Sequence, residues 1–201
     1  MPHDRPEMLR RTGRSKSFGS IKLEAVMPAN VFEWDGWQGQ LARAHRWHDR
    51  FLEVANRWNS HSLDEQIDFA LVFFQNAYQV RDYLQHEQVV PQHSLDELMS
   101  RSFALRIARD LTNGSKHRSI SRPSVDPSPW ILRTLNFAGG PRLTLKAGSE
   151  LLDLESVARD CLKAWQIFLG QHGLDPGSVS PARQALFDAL RAPTQALPTD
   201  D

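Results

Sequence analysis

The chain has little cysteine and no long hydrophobic run. Its one cysteine, Cys161, rules out an intrachain disulfide, and the nearby WQIF sequence favours a buried core thiol. No stretch of about 18 apolar residues is present, so a membrane span is not expected. The N-terminal arginines lack the apolar stretch that follows them in a secretory signal. These absences predict a cytoplasmic protein without a membrane partner.

Several catalytic signatures are also missing. The sequence contains no G-x-G-x-x-G, P-loop, H-E-x-x-H or G-x-S-x-G motif, which leaves nucleotide-cofactor, zinc-protease and α/β-hydrolase chemistry without support. Glu-x-x-His pairs, which a di-iron helical bundle needs, are absent as well. His45 and His48 lie three residues apart beside Trp47, which suits two surface histidines better than a metal site. We therefore expect neither a metal nor a cofactor.

The chain has no net charge, but its charges are unevenly distributed. It carries 24 basic and 24 acidic residues. Residues 101–146 hold nine basic and two acidic residues, whereas residues 23–100 hold five basic and twelve acidic ones. This basic middle segment either attracts an anionic partner such as nucleic acid or packs against the acidic segments, and composition is compatible with both.

Hydrophobic periodicity predicts a mainly α fold, a bundle of four main helices. The predicted helices run, in chain order, from about Trp34 or Trp37 to Trp58, from Ser62 to His86, from Ser94 past Arg109, and from Glu150 to Gln171. SLDE sequences at Ser62 and Ser94 predict a capping box at the start of the second and third helices. Asn113-Gly114 is a candidate end for the third helix. The six tryptophans lie mostly at helix-core spacing and are interpreted as packing residues, not as a platform for nucleic-acid bases.

A small β-hairpin is expected before the last main helix. β-Branched and alternating residues flank Gly139-Gly140-Pro141, which predicts a hairpin over about 129–147. The bundle with this insertion is expected to span 21–174. Residues 1–20 are predicted to be a disordered basic tail, and 175–201 a short helix at about 181–190 within a disordered tail.

One side of the third predicted helix concentrates polar chemistry. At about 100° per residue, five side chains fall within an arc of roughly 100°. They are Arg106, Arg109, Asn113, Lys116 and His117. Guanidinium, ammonium and imidazole groups bind phosphate and move protons, so this stripe is the candidate functional site. The alternative is an exposed helix end, where Lys and His favour the C-terminal carbonyl groups.

The second helix also turns polar towards its C-terminal end. The apolar face that carries Phe74 and Tyr78 continues into Arg81 and Asp82. If Asp82 meets Arg106 or Arg109, it orients a guanidinium towards phosphate oxygens. Simple antiparallel packing would place the two polar ends apart. A parallel or steeply crossed arrangement would bring them together, as would a homodimer, and the sequence does not choose.

Three segments resemble an uncharacterised bacterial protein family. They are FFQNAYQVRDYL (73–84), RDLTNGSKH (109–117) and LESVARDCLKAWQIFL (154–169). Their pattern includes Asp-x-x-Asn-x-x-Lys-His, and the layout also resembles the HEPN superfamily of helical domains, which often dimerise and include RNA-cleaving toxins and antiphage effectors. This resemblance implies an RNA partner. The gap between Arg109 and His117 is longer than the Arg-to-His gap of active HEPN members, which implies an altered or lost ribonuclease site.

Two functions are therefore predicted. The first is an HEPN-like, metal-independent ribonuclease of toxin or antiphage-defence type, with the catalytic residues His117, Lys116, Asn113, Arg109 and Asp82. In that interpretation His117 is the general acid or base and Lys116 neutralises charge on phosphate. The RNA-binding residues are Arg106, Arg118 and Arg81. The second is a non-enzymatic helical module that binds a protein or nucleic acid through the basic middle segment.

Overall fold

Five helices and one three-stranded antiparallel sheet make up the described part of the chain. The computed structural model describes residues 36–57, 59–116, 120–136, 140–177 and 184. The helices are α1 (Gly36–Asn56), α2 (Leu63–His86), α3 (Gln92–Arg101), α4 (Phe103–Lys116) and α5 (Leu154–Gln171). The strands are β1 (Trp130–Asn136), β2 (Gly140–Ala147) and β3 (Glu150–Asp153). The predicted mainly α class with a small β element is confirmed. The predicted tail at 1–20 and the short helix at 181–190, apart from Gln184, lie outside the described residues.

Helix α2 lies at the centre of the fold, as its continuous apolar sequence predicts. Its start is the predicted capping box: the Glu65 backbone N–H donates to Ser62 Oγ at 3.1 Å, and Ser62 N–H donates to Glu65 Oε2 at 2.8 Å. Helices α1, α4 and α5 all pack against α2. The buried Trp165 of α5 donates its indole N–H to the Ala77 carbonyl of α2 at 2.8 Å. This bond fixes the position of the last helix against the central one.

The third predicted helix is two helices in the structure. Ser102 has an extended ψ of 109°, and its hydroxyl accepts the Leu105 backbone N–H at 3.3 Å. A serine hydroxyl that caps a new helix competes with continuation of the old one, which explains the break. Helix α3 also begins earlier than predicted, after Pro91, so Ser94 is not an N-cap. Helix α4 continues through Asn113 and Gly114 to Lys116.

The predicted hairpin is present, and it gains a strand that the sequence did not predict. Strand β1 pairs antiparallel with β2, and β2 pairs antiparallel with β3. Glu150–Asp153, predicted as the first turn of the last helix, forms β3 because it pairs with Thr144–Ala147. Asp153 then caps α5 by accepting the Ser156 N–H at 2.9 Å. The last helix therefore begins four residues later than predicted, at Leu154 rather than Glu150.

The single cysteine is a core residue, as predicted. Cys161 is fully buried on α5, and its Sγ donates to the Ala104 carbonyl of α4 at 3.2 Å. Burial in an apolar environment raises the pKa of this thiol, which disfavours the reactive thiolate. Within the described ranges, no helix has the length and apolar content needed to cross a membrane.

His48 differs from the expected surface histidine. It is buried in α1, with 9% of its surface exposed, and its ring centroid lies 5.4 Å from that of Phe73 in α2. Its Nε2 has no hydrogen-bond partner among the described residues. Burial lowers the pKa of His48, and the opposing attraction of Asp49 only partly offsets this effect. The folded state therefore favours the neutral imidazole.

This burial predicts a pH-dependent stability. The unfolded chain binds the proton at a pH of about 6.5, above the lowered pKa of folded His48. The free energy of unfolding should therefore fall as pH decreases from about 7 through this range, and His48→Gln should reduce the slope. Urea denaturation at a series of pH values measures it. His45→Gln, at an exposed position on the same helix, should keep the wild-type slope, and an equal effect of the two variants would contradict the prediction.

Candidate functional site

Helix α4 presents the predicted polar stripe on one side and the core on another. Leu105, Ala108 and Leu111 are buried, whereas Arg106, Arg109 and Asn113 are partly exposed and Lys116 is exposed. The sequence produces this division because its apolar and polar residues alternate with the helical period. His117 and Arg118, the last two cationic residues predicted for the site, lie outside the described residues.

Helices α2 and α4 run in opposite directions. Gln75, near the middle of α2, donates from Nε2 to Ser115 Oγ, near the end of α4, at 2.7 Å. Arg81, which lies further along α2, lines the same cleft as Arg106 and Arg109. Since these two arginines precede Ser115 on α4, the order of contacts along the two helices is opposite. The antiparallel overlap is long enough for the polar end of α2 to meet the first arginines of the stripe. It does not bring the two C-terminal ends together.

The three arginines line a cleft of about 470 Å³, named here the arginine cleft. Its walls come from α2, α3, α4 and the segment that follows α4. The lining residues are Tyr78, Arg81, Asp96, Met99, Ser100, Arg106, Arg109 and Ser124. The structure thus brings together Arg81 and Arg106, which were predicted to bind RNA, and Arg109, which was predicted to be catalytic.

The arginines of the cleft differ in whether a carboxylate neutralises their charge. Arg81 Nη2 lies 3.4 Å from Asp96 Oδ1, and Arg81 Nη1 lies 3.6 Å from Asp82 Oδ1. Gln92 also donates to Asp96 at 2.9 Å, which holds this carboxylate in place. Asp82 is therefore beside Arg81, and it forms no ion pair with Arg106 or Arg109. The predicted contact of Asp82 with Arg106 or Arg109 is therefore not formed in the structure.

Arg106 and Arg109 have no carboxylate partner among the described residues. The Arg106 guanidinium carbon lies 5.5 Å from the centroid of the Phe103 ring, a cation–π distance. Its Nε is buried without a hydrogen-bond partner in the described part of the chain. The cleft thus contains one neutralised and two available guanidinium groups, an arrangement suited to an anion such as phosphate.

Asn113 and Lys116 lie further along α4, at what we call the lysine end. At 1.5 Å per residue, Lys116 is about 10 Å along the helix axis from Arg109. Partial burial raises the pKa of Asp82, although 55% of its side chain is exposed, and the positive charges of Arg81 and Lys116 oppose the shift. The arginine cleft and the lysine end are two adjoining parts of one basic surface.

A buried carboxylate that the sequence did not identify as a site residue shapes the cleft. Asp110 is 1% exposed and accepts backbone N–H groups from Ser124, Val125 and Asp126, at distances from 2.6 to 3.1 Å. This holds Ser124 at the wall of the arginine cleft. In the sequence, Asp110 is distinguished only as the aspartate of the Asp-x-x-Asn-x-x-Lys-His pattern, which does not indicate its structural role.

No family model, curated protein or solved structure matches the chain at a significant level. The resemblance to HEPN domains therefore depends on the sequence patterns alone. Among the described residues, no group of histidine, cysteine and acidic side chains is arranged to hold a metal ion. The candidate site is thus defined by its own residues, as a cationic surface that consists of the arginine cleft and the lysine end.

The role of Asp110 predicts a large loss of stability on truncation. Asp110→Ala leaves the partly buried amides of Ser124–Asp126 without their acceptor and should lower the free energy of unfolding by about 3 kcal/mol. Asp68→Ala, at an exposed position on α2, is the matched control and should change it by less than about 0.5 kcal/mol. Urea denaturation measures both variants. Similar values for the two would show that the carboxylate does not anchor the loop.

Proposed function

We propose that the protein is an HEPN-like RNA-binding domain that grips the phosphodiester backbone in the arginine cleft. The observation that carries the proposal is the convergence of Arg81, Arg106 and Arg109 from two helices on one concave surface. Arg106 and Arg109 have guanidinium N–H groups that no described carboxylate occupies, and guanidinium groups bind phosphate oxygens through paired hydrogen bonds. Ser100 and Ser124 add neutral polar residues to the lining of the cleft.

The surrounding charge supports a polymeric anion as the ligand. Residues 101–146 carry a net charge of +7, from nine basic and two acidic residues. One of those two acids, Asp110, is buried and occupied by backbone amides. Binding of a polyanion to such a surface releases counterions and depends strongly on salt concentration. RNA, rather than another polyanion, is the partner that the sequence resemblance implies.

Substitution of the available arginines tests this proposal. Arg109→Gln should weaken binding of a fluorescein-labelled RNA oligonucleotide about ten-fold, because a charge-assisted hydrogen bond to phosphate is lost. A plot of log affinity against log salt has a negative slope, and this slope should become less steep by about 0.7 for each lost phosphate contact. Arg106→Gln should act in the same direction. Fluorescence anisotropy at several salt concentrations measures both effects.

Arg46→Gln is the matched control, because Arg46 is an exposed arginine on α1. It should leave the affinity within about two-fold of the wild type and the salt slope unchanged. Equal weakening by Arg46→Gln and Arg109→Gln would mean that binding is non-specific and does not use the cleft. A DNA oligonucleotide of the same sequence shows whether the ligand preference is for RNA.

Metal-independent RNA cleavage at the lysine end is a second candidate function. The observation that favours it is the placement of Asn113 and Lys116 on the polar side of α4 beyond Arg109, and partial burial raises the pKa of Asp82 towards that of a useful base. In this reaction a base removes the proton of the ribose 2′-hydroxyl, and the 2′-oxygen attacks the adjacent phosphorus. The bond from phosphorus to the 5′-oxygen breaks as an acid protonates that oxygen. Lys116 and Asn113 would stabilise the charge that develops on the non-bridging oxygens.

Cleavage has a direct assay. Purified protein incubated with RNA in EDTA should release fragments that end in a 2′,3′-cyclic phosphate. His117→Ala and Lys116→Ala should each slow this release by about 100-fold or more, because an acid–base group or a charge-stabilising group is lost. Lys163→Ala, at an exposed lysine on α5, should cleave at the wild-type rate. RNA that is bound in a salt-sensitive manner but stays intact would favour the non-enzymatic module.

A further inference from the structure

The outer face of the sheet carries an exposed aromatic ring in an unusual position. Trp130 opens strand β1 with 65% of its surface exposed, and Leu151 on strand β3 is 64% exposed. The strand register places Trp130 opposite Lys146 and Lys146 opposite Leu151, so the three side chains form one row across the sheet. This exposure contradicts the expectation that the tryptophans serve in packing, which holds for the buried Trp37 and Trp165.

The same face carries cations beside the aromatic ring. Lys146 and Arg142 lie on one face of β2, four residues apart, which is about 14 Å along a strand. Asp126 lies near Lys146 and Glu155 near Arg142, so these cations have neighbouring carboxyl groups. Asp126, however, already accepts the backbone N–H groups of Gly148 and Ser128. An accessible indole flanked by a lysine is the combination that stacks on a base while attracting the phosphate next to it.

A chain of hydrogen bonds fixes this face relative to the arginine cleft. Asp110 holds the backbone of Ser124–Asp126, and Asp126 accepts the N–H of Gly148 in the turn between β2 and β3. Ser124 lines the arginine cleft. Trp130 is six residues after Ser124, which limits their separation to about 22 Å. An oligonucleotide is long enough to cover this distance.

We propose that Trp130 is a stacking platform for an unpaired base of an RNA whose backbone lies in the arginine cleft, so that the ligand of this protein is single-stranded. This inference rests on the proposed function and adds the form of the RNA to it. Stacking on one aromatic ring tolerates any base, because every base has a π-face. The platform therefore selects for unpaired nucleotides and not for a particular sequence, since a base inside a duplex has no free face to offer.

The test compares a single-stranded RNA with a blunt duplex of the same length by fluorescence anisotropy. Trp130→Ala should weaken binding of the single strand about ten-fold and leave duplex binding unchanged. Trp130→Phe keeps an aromatic face and should retain most of the single-strand affinity. Leu151→Ala is the matched control, because it removes an equally exposed apolar side chain from the same row without removing a ring. Trp130 is exposed, so the melting temperature of all three variants should stay at the wild-type value.

The outcomes separate this inference from the proposed function. If Arg109→Gln weakens binding and Trp130→Ala does not, the proposed stacking role of Trp130 is wrong and the proposed RNA-binding role of the arginine cleft is retained. Equal losses for single strand and duplex, or equal losses with Phe and Ala, also overturn the platform. If the wild type binds no RNA at low salt, both proposals fail. A Trp130→Ala variant that binds RNA normally but no longer self-associates in sedimentation would show that the face is a contact between copies of this chain.

Discussion

The buried carboxylate of Asp110 determines how the rest of the site is arranged. A carboxylate inside a protein is tolerated only when its oxygens are well bonded, and Asp110 meets this condition by accepting three consecutive backbone N–H groups. The segment after α4 is thereby fixed against that helix. Arg109 precedes Asp110 and points about 100° away around the helix, so one turn of α4 both anchors the loop and supplies the cleft with a cation. Asp126 extends the same arrangement to the sheet through Gly148.

The distribution of carboxylates explains which arginines are available to a ligand. Arg81 lies between Asp82 and Asp96, and the contact with Asp96 ties α2 to α3. Its charge therefore serves the structure as well as the cleft. Arg106 and Arg109 line the same cleft without such partners among the described residues, so their guanidinium groups are the ones that the proposed function assigns to phosphate.

Those features of the fold and the site that depend on local sequence could be predicted. The polar stripe on α4 follows from helical periodicity, and the start of α2 follows from the capping box at Ser62. Other features do not follow from the helical period. Ser102 ends one helix and caps another through its own hydroxyl, and Glu150–Asp153 forms a strand because it pairs with β2. Asp96 meets Arg81 from a separate helix, and no spacing rule relates residues 15 positions apart across a helix break.

The spacing of the basic groups favours an extended ligand over a small one. Arg109 and Lys116 lie about 10 Å apart along α4, which is more than a single phosphate group can span. Trp130 lies within about 22 Å of the cleft wall at Ser124, on a different layer of the fold. A small anion would occupy the arginine cleft and leave the lysine end and the sheet face unused. The RNA of the proposed function repeats its phosphates and bases along its length, and in that proposal each further contact adds to its affinity.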